Sequence, residues 1–261
     1  MQPSTNTGDP HASHHSSFHS VACRHDDHFC LGRDQTGPVR HHLQHVPGDQ
    51  LCLTRTDQFR QTPVHPGGGV AINHEAGPYV AITAYSVDFD DQSNANIELD
   101  YSAGLTHQYK NNLKLDLGVI RYTYPGVASD RELDYNEYYL GASYKINSLG
   151  LSAKYSFSDD FGGVKPANVS NDSAHYIEGA LTYDFPFEIV GAFHYGHSDG
   201  NHFDNSAAGL PDNYNDYSFG LSKEVLGFGW DLSFYGNDKS GRRLFNSVAD
   251  EQVVLKINKN F

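Results

Sequence analysis

The chain ends on the stretch Asp250-Glu-Gln-Val-Val-Leu-Lys-Ile-Asn-Lys-Asn-Phe261. Apolar residues occupy every second position from Val253 to Ile257 and again at Phe261, with polar residues between them and Val254 as the exception. This alternation predicts a β-strand with one apolar and one polar face. A last strand that ends on an aromatic residue is typical of a bacterial outer-membrane β-barrel. The alternative is an edge strand of a soluble sheet.

Composition excludes a helical membrane protein. Hydrophobic residues make up 38% of the chain and the mean hydropathy is −0.56. No run of about 18 apolar residues exists, as a transmembrane helix would require. Barrel strands are only half apolar, so a barrel remains open. The 25 Gly, 17 Tyr and 15 Phe residues suit short strands and aromatic girdles.

Net charge and cysteine usage further narrow the classes of protein to which the chain can belong. The net charge of −14 argues against a nucleic-acid partner, because such a partner needs a basic surface. The three cysteines, Cys23, Cys30 and Cys52, all precede residue 60. A long cysteine-free remainder is expected for a protein assembled in an oxidising compartment.

Residues 1–65 differ from the rest of the chain. Eleven of the sixteen histidines lie before Glu75, and neither a signal peptide nor a sustained period of two or 3.6 is present. We therefore predict a disordered His-rich segment. A metal site is an alternative, but the spacing matches no closed zinc site, and we expect no metal and no cofactor. Its candidate ligands are His14, His15, His19, Cys23, His25, His28 and Cys30.

A shifted reading frame is a further alternative for this segment. Back-translation of Gly48–Gln58 in a frame moved by one base permits Val-Thr-Asn-Tyr-Val-Ser-Arg-Gly-Leu-Thr, which has the pattern of a barrel strand. Residues 1–65 would then be a frame-shifted remnant of a signal peptide and first strand. That origin would explain both the composition and the missing signal peptide.

From about residue 66 the chain alternates with a period of two in one segment after another, which predicts an all-β domain over residues 66–261. The predicted strands are Val70–Glu75, Tyr79–Asp88, Ala95–Tyr109, Leu113–Tyr124, Asn136–Ile146, Leu151–Phe157, His175–Phe185, Phe187–His197, Tyr214–Glu224, Phe228–Gly236 and the closing stretch.

Short and long connections alternate between these strands. The short ones are Lys110–Asn112, Asn147–Gly150, Phe185–Pro186 and Val225–Gly227, and the long ones are Pro125–Tyr135, Asp159–Ala174, Ser198–Asn213 and Asp238–Ala249. Periplasmic turns and extracellular loops differ in this way. We predict an antiparallel up-and-down transmembrane β-barrel of about 10–12 strands. Because such barrels have even strand numbers, either a strand was lost near residues 48–60 or Val70–Glu75 is not a strand.

Four blocks of the sequence resemble the TorF family of proteobacterial outer-membrane proteins. They are Gly118-Val-Ile-Arg-Tyr-Thr-Tyr-Pro-Gly126, Asp134-Tyr-Asn-Glu-Tyr-Tyr-Leu-Gly-Ala-Ser143, Ser152-Ala-Lys-Tyr-Ser-Phe-Ser-Asp-Asp-Phe161 and Val254-Leu-Lys-Ile-Asn-Lys-Asn-Phe261. The resemblance spans roughly Gly67 to Phe261 and implies an outer-membrane barrel with a pore. The family usually opens with a signal peptide and a strand similar to Thr-Ser-Asn-Tyr-Val-Phe-Arg-Gly. Neither is present here, which supports the shifted frame.

The polar parity of the predicted strands carries more acids than bases. The acids are Glu98, Asp100, Asp116, Glu137, Glu178, Asp184, Glu188, Asp216, Glu224 and Asp231, and the bases are Lys114, Lys145, Lys154 and Lys256. An acid-rich lumen predicts a preference for cations. The alternative is that these charges pair across a narrow or plugged lumen and only stabilise the barrel.

These patterns predict a porin for passive diffusion of small hydrophilic solutes. Its expected partners are outer-membrane lipid, the barrel assembly machinery and the solutes themselves. A non-conducting structural or adhesive barrel is the first alternative. A membrane-embedded hydrolase is the second, because His194, Ser218 and Asp231 share the inward parity. No nucleophile-elbow motif accompanies them, so we expect no enzyme.

Deleting Phe261 or replacing it with Asp should lower the amount of protein inserted in the outer membrane of cells. A fully buried Phe contributes about 1.5–3 kcal/mol, and one at the membrane interface contributes less. Protein refolded in detergent should therefore lose little thermal stability. Insertion of the deletion variant at the wild-type level would show that Phe261 is not an assembly signal.

Overall fold

The computed structural model describes residues 45–46, 54–56, 64–87, 95–127, 133–162, 173–204, 209–245 and 251–259. Three short strands come first: β1 (His45–Val46), β2 (Thr54–Thr56) and β3 (Val64–His65). Eleven longer strands follow. They are β4 (Gly67–Asn73), β5 (Pro78–Ser86), β6 (Ile97–Gln108), β7 (Leu113–Thr123), β8 (Tyr135–Ile146), β9 (Leu149–Ser158), β10 (Ala174–Phe185), β11 (Ile189–Asp199), β12 (Tyr214–Val225), β13 (Phe228–Asn237) and β14 (Gln252–Asn258).

Each strand from β4 to β14 pairs antiparallel with the next one in the sequence. The eleven strands therefore form one up-and-down sheet, and the predicted fold class is confirmed. The predicted segment Val70–Glu75 corresponds to β4, so it is a strand. Of the closing stretch, Gln252–Asn258 forms β14, whereas Phe261 lies outside the described residues.

The sheet curls, although it is not closed. Its order runs from β1 through β4–β14 to β2 and β3. In a flat sheet β1 and β2 would stand twelve strand spacings apart, or about 58 Å. The eight residue steps from Val46 to Thr54 reach only about 28 Å at full extension. Both edges of the eleven-strand sheet must therefore approach each other, as in a barrel.

Segment 45–65 contributes backbone pairs to this sheet. Strand β1 pairs with β4, and β2 pairs with the closing strand β14. The short strand β2 thus lies in the region 48–60, where the even-number rule left open the loss of a strand. The other residues of the predicted disordered segment lie outside the described residues, and both the disorder and the shifted frame stay predictions.

The sheet is apolar outside and polar inside, the reverse of a soluble protein. On one parity, eleven large apolar side chains are between 51% and 59% exposed, and these are Val70, Ile72, Val80, Ile82, Leu105, Leu117, Leu140, Ile177, Phe219, Leu221 and Leu232. On the opposite parity, Glu137 is 1% exposed and Ser156 and Ser198 are completely buried. An outward apolar band of this kind is suited to lipid, with the polar face enclosing the lumen.

The two ends of the sheet differ as predicted. At one end the chain turns within a few residues, and Asn112, Asn147 and Leu226 adopt positive φ angles of 67°, 52° and 56°. Tight hairpins need such left-handed backbone, which Asn and Gly adopt most easily. The other end carries the long connections, and one of them contains the helix α1 (Lys239–Phe245), which the sequence did not predict.

Helices play a minor part in the architecture. Besides α1 there are single 3-10 turns at Pro186–Glu188 and Asn201–Phe203. Within the described part of the chain, no helix is both long and apolar enough to cross a membrane.

Replacing Leu140 with Arg should destabilise the folded protein by about 2–4 kcal/mol, the cost of a cation facing mid-bilayer lipid. Leu140 lies in the middle of β8 and is 57% exposed on the apolar face. Denaturant unfolding in lipid vesicles measures the loss. Ser152→Arg is the matched control, because Ser152 on β9 has the inward parity. Equal losses at the two positions would contradict the assignment of faces.

Candidate functional site

A network of charged and polar side chains follows the inner face of β9–β12. Lys154 and Glu178 are direct partners in the β9–β10 register, and the Lys154 Nζ–Glu178 Oε1 distance is 2.9 Å. His194 Nε2 lies 2.9 Å from the other Glu178 oxygen, and its Nδ1 lies 3.5 Å from Asp216 Oδ1. The Tyr176 hydroxyl donates to Asp216 at 3.1 Å. The inward parity of four successive strands places these groups together.

Two tyrosines continue this wall across β5–β8. Tyr79, Gly104, Gly118 and Tyr139 follow one another in register across the four strands. The rings lie over the glycines, since a Cβ on Gly104 would come within 2.5 Å of the Tyr79 oxygen and one on Gly118 within 2.6 Å of the Tyr139 oxygen. The two hydroxyls are hydrogen-bonded to each other, and that of Tyr79 donates to Asp116 Oδ1 at 2.9 Å.

Lys154 joins the two halves of the wall. Its Nζ lies 5.9 Å from the centre of the Tyr139 ring while it forms the ion pair with Glu178. Polar contacts thus run without a break from Tyr79 on β5 to Asp216 on β12. We call these eight residues the lumen network, namely Tyr79, Asp116, Tyr139, Lys154, Tyr176, Glu178, His194 and Asp216.

Four of the predicted inward residues belong to this network, namely Asp116, Lys154, Glu178 and Asp216. The structure places most of the others elsewhere along the inner face. Lys145 Nζ lies 2.8 Å from Asp184 Oδ2, nearer the short turns. Asp231 accepts a hydrogen bond from Ser233 at 2.6 Å and lies opposite Lys256 in the β13–β14 register.

The remaining predicted acids lie towards the ends of the sheet. Glu98 and Glu137 are 9% and 1% exposed near the long connections, and Asp100 accepts a hydrogen bond from Thr83 at 3.0 Å. Glu188 is exposed in the 3-10 turn before β11, outside the strands, and Glu224 is exposed near the end of β12. The inward acids therefore occupy several depths and do not form a single ring.

Buried polar groups also lie at the long-connection end. Burial raises the pKa of the Tyr124 phenol above its ordinary range. The nearby Tyr135 raises it further, as does Glu98, to which the Tyr124 hydroxyl is hydrogen-bonded. Burial also acts to raise the pKa of Asp238. Hydrogen bonds from the Gly241 backbone and the Asn215 side chain outweigh that effect, so the pKa of Asp238 is below its usual value. Asp238 thus remains an anion that caps α1.

The hydrolase triad is not assembled. His194 and Ser218 are direct partners in the β11–β12 register, but the contacts of the His194 nitrogens are with Glu178, Asp216 and Tyr176. Ser218 lies opposite Tyr235, four residues along β13 from Asp231. Four residues of strand span about 13 Å, so Asp231 cannot orient His194. Among the described residues, no group of three His, Cys, Asp or Glu side chains could hold a metal ion.

The inward tyrosines could not be predicted from the pattern of charged residues. Three tyrosines share the parity of the lumen acids, namely Tyr79, Tyr139 and Tyr176. Because tyrosine is also common in lipid-facing girdles, the residue type alone did not indicate that these side chains face inward. The glycines opposite them were the available signal, because a strand glycine often marks a close approach by another group.

Comparison with known proteins places the chain in a family. A family model described as a bacterial protein of unknown function (Gcw_chp) matches residues 58–261. The chain belongs to this family. The TorF name suggested by the sequence resemblance is not confirmed by this match. A comparison with curated proteins gives no match.

Solved structures share the fold of this family member. The NanC porin in a rhombohedral crystal form is 12% identical, with a TM-score of 0.58 over 81% of this chain and 98% of NanC. The KdgM porin in complex with disordered oligogalacturonate is 7% identical, with a TM-score of 0.55 over 81% of this chain and 99% of KdgM. At these identities the similarity shows a porin-like fold.

Replacing Gly118 with Ala should cost about 1–3 kcal/mol, because the new methyl group overlaps Tyr139 and the Ala103 carbonyl oxygen. Gly141→Ala on the adjacent strand is the control, because the nearest atom to its Cβ would lie at 3.8 Å. Thermal unfolding in detergent, followed by near-ultraviolet circular dichroism, compares the two variants. Equal stability would show that Tyr139 does not pack on Gly118.

Proposed function

We propose that this protein is an outer-membrane channel through which small hydrophilic solutes diffuse passively, with a preference for cations. The observation that carries the proposal is the inverted sheet, with an apolar exterior around a wall of hydrogen-bonded and charged side chains. A lipid-facing exterior supports a location in a membrane, and a polar interior of this extent can hold water. The porin-like fold supports the outer membrane as its location.

The cation preference follows from the charges on the inward parity. Nine acids occupy inward positions on β6–β13, whereas four lysines do so on β7, β8, β9 and β14. In the lumen network, Lys154 pairs with Glu178, while Asp116 and Asp216 accept hydrogen bonds from the hydroxyls of Tyr79 and Tyr176. A pore wall with excess carboxylates attracts cations and repels anions.

The charge balance also bears on the class of solute. The KdgM porin, which has the same fold, has been solved in complex with disordered oligogalacturonate, a polyanion. An acid-rich wall opposes such a solute, so we propose neutral or cationic hydrophilic solutes instead. The paired charges favour one alternative function, since Lys154, Glu178, His194 and Asp216 would also stabilise a barrel that does not conduct. The absence of an assembled triad disfavours a hydrolase.

Purified protein in a planar bilayer should conduct, and under a potassium chloride gradient its reversal potential should have the sign of cation selectivity. Asp216→Asn should lower the cation-to-anion permeability ratio by roughly twofold to tenfold, as expected for one charge acting across a narrow aqueous lumen. Asp212→Asn is the control, because Asp212 is an exposed residue before β12. Oligogalacturonate should not block the current.

Three outcomes distinguish the alternatives. Anion selectivity would contradict the assigned role of the carboxylates, even if the protein conducts. A folded barrel that never conducts, in the wild type and in variants that widen its lumen or mouth, would favour the structural or adhesive function. An effect of Asp212→Asn equal to that of Asp216→Asn would show that surface charge, and not the lumen network, sets the selectivity.

A further inference from the structure

The long-connection end of the sheet contains a packed aromatic cluster. Its members are at most 9% exposed, in contrast to the exposed apolar residues of the lipid face. We call it the mouth cluster, and it consists of Ala95, Tyr122, Tyr124, Tyr135, Phe161, Ala174, Phe203, Tyr214 and Phe245. Tyr122, Tyr135, Ala174 and Tyr214 lie at the ends of β7, β8, β10 and β12 with the inward parity. The cluster therefore continues the inner wall and not the outer face.

All five long connections contribute to the mouth cluster. Ala95 comes from the connection before β6, Tyr124 from that after β7, Phe161 from that after β9, Phe203 from that after β11, and Phe245 from that after β13. Partly buried residues of the same connections pack against it, namely Val87, Val127, Leu133 and Leu244. The cluster therefore lines the long-connection end of the curled sheet, from the connection before β6 to the connection after β13.

The rings form a continuous series of contacts. Successive ring centres are 4.6 Å apart for Tyr122–Tyr135, 5.0 Å for Tyr135–Phe161, 6.0 Å for Phe161–Phe203, 5.4 Å for Phe203–Tyr214 and 5.0 Å for Tyr214–Phe245. Phe203 and Tyr214 are each 2% exposed. Packing this close leaves little room for water between the rings.

Hydrogen bonds between connections hold the cluster in place. The His202 amide donates to the Ser173 carbonyl at 3.1 Å, which ties the connection after β11 to the one before β10. Asp238 accepts from the Gly241 amide at 2.9 Å and from the Asn215 side chain at 2.7 Å, which fixes α1 and Phe245 against β12. Arg243 donates to the Gly209 carbonyl at 2.8 Å.

We propose that the mouth cluster is a gate that closes the long-connection end of the lumen at rest. A hydrophobic constriction excludes water and ions even where it is not fully occluded. Below the cluster the wall is polar, so the apolar barrier is confined to the mouth. Solute passage then requires the connections to separate and the rings to move apart. This inference rests on the proposed channel function, since a gate has meaning only if the lumen conducts.

Single-channel recording of Phe203→Ala tests the gate. The wild-type channel should be closed most of the time. The variant should have an open fraction at least about tenfold higher, because truncating a core phenylalanine destabilises the closed packing by more than the free energy that a tenfold change in population requires. Phe193→Ala is the matched control, because Phe193 on β11 is 48% exposed on the lipid face. The open fraction of Phe203→Leu, which retains apolar volume, should lie between those of the wild type and Phe203→Ala.

Thermal unfolding in detergent establishes that each variant is folded before its current is interpreted. If the wild type is already open at rest and Phe203→Ala conducts equally, the proposed gate is contradicted, whereas the proposed channel function is not. If neither protein conducts while both are folded, the channel function and the gate are both wrong. An increase in Phe193→Ala equal to that in Phe203→Ala would also contradict the gate, because loosening any part of the barrel would then suffice.

Discussion

The alternation of side chains along paired strands is the constraint on which the rest of the structure depends. In hydrocarbon every backbone N–H and C=O group must be paired within the protein, and antiparallel neighbours provide that pairing from β4 to β14. Once one parity faces lipid, the other parity must face the lumen. Each inward position then has to accommodate a polar or charged group beside its neighbours, or a small residue that makes room for one.

The lumen network shows how that requirement is met. Glu178 lies between Lys154 and His194, so the cost of partly burying its charge is offset by contacts on both sides. Gly104 and Gly118 allow Tyr79 and Tyr139 to lie along the wall, which keeps bulky rings from filling the lumen. At the long-connection end the polar pattern gives way to packed rings. The same inward parity therefore produces a polar wall in one part and an apolar barrier in another.

Much of the fold could be predicted from the sequence, because a period of two is a local signal. The faces of β8 illustrate this point, since Glu137 and Lys145 were predicted to have the inward parity. On the opposite parity, Tyr138, Leu140 and Ile146 are 48–57% exposed. The side chains that contact each other across strands could not be predicted in the same way. These contacts depend on the register between strands, which brings Tyr79 to Tyr139 although 60 residues separate them. Parity placed His194, Ser218 and Asp231 on one face but gave no information on their depth.

The mouth cluster and α1 were beyond sequence reasoning for a different reason. Phe161, Phe203 and Phe245 stand in connections rich in Gly, Asp, Asn and Ser, where a single aromatic residue gives no periodic signal. The helix α1 has only seven residues and includes Gly241, which lowers its intrinsic helix propensity. Its position is set by the Asp238 cap and by packing of Phe245, both of which require the folded sheet.

The inverted sheet is tested most directly by identifying the solvent that meets each of its two faces. Spin labels placed one at a time along β9, from Leu151 to Phe157, in a variant lacking Cys23, Cys30 and Cys52, measure this in lipid vesicles. Labels at odd-numbered positions should be relaxed by oxygen dissolved in lipid, and labels at even-numbered positions by a water-soluble nickel complex. The same relaxation at both sets of positions, or the opposite assignment, would contradict an inverted sheet with a polar lumen.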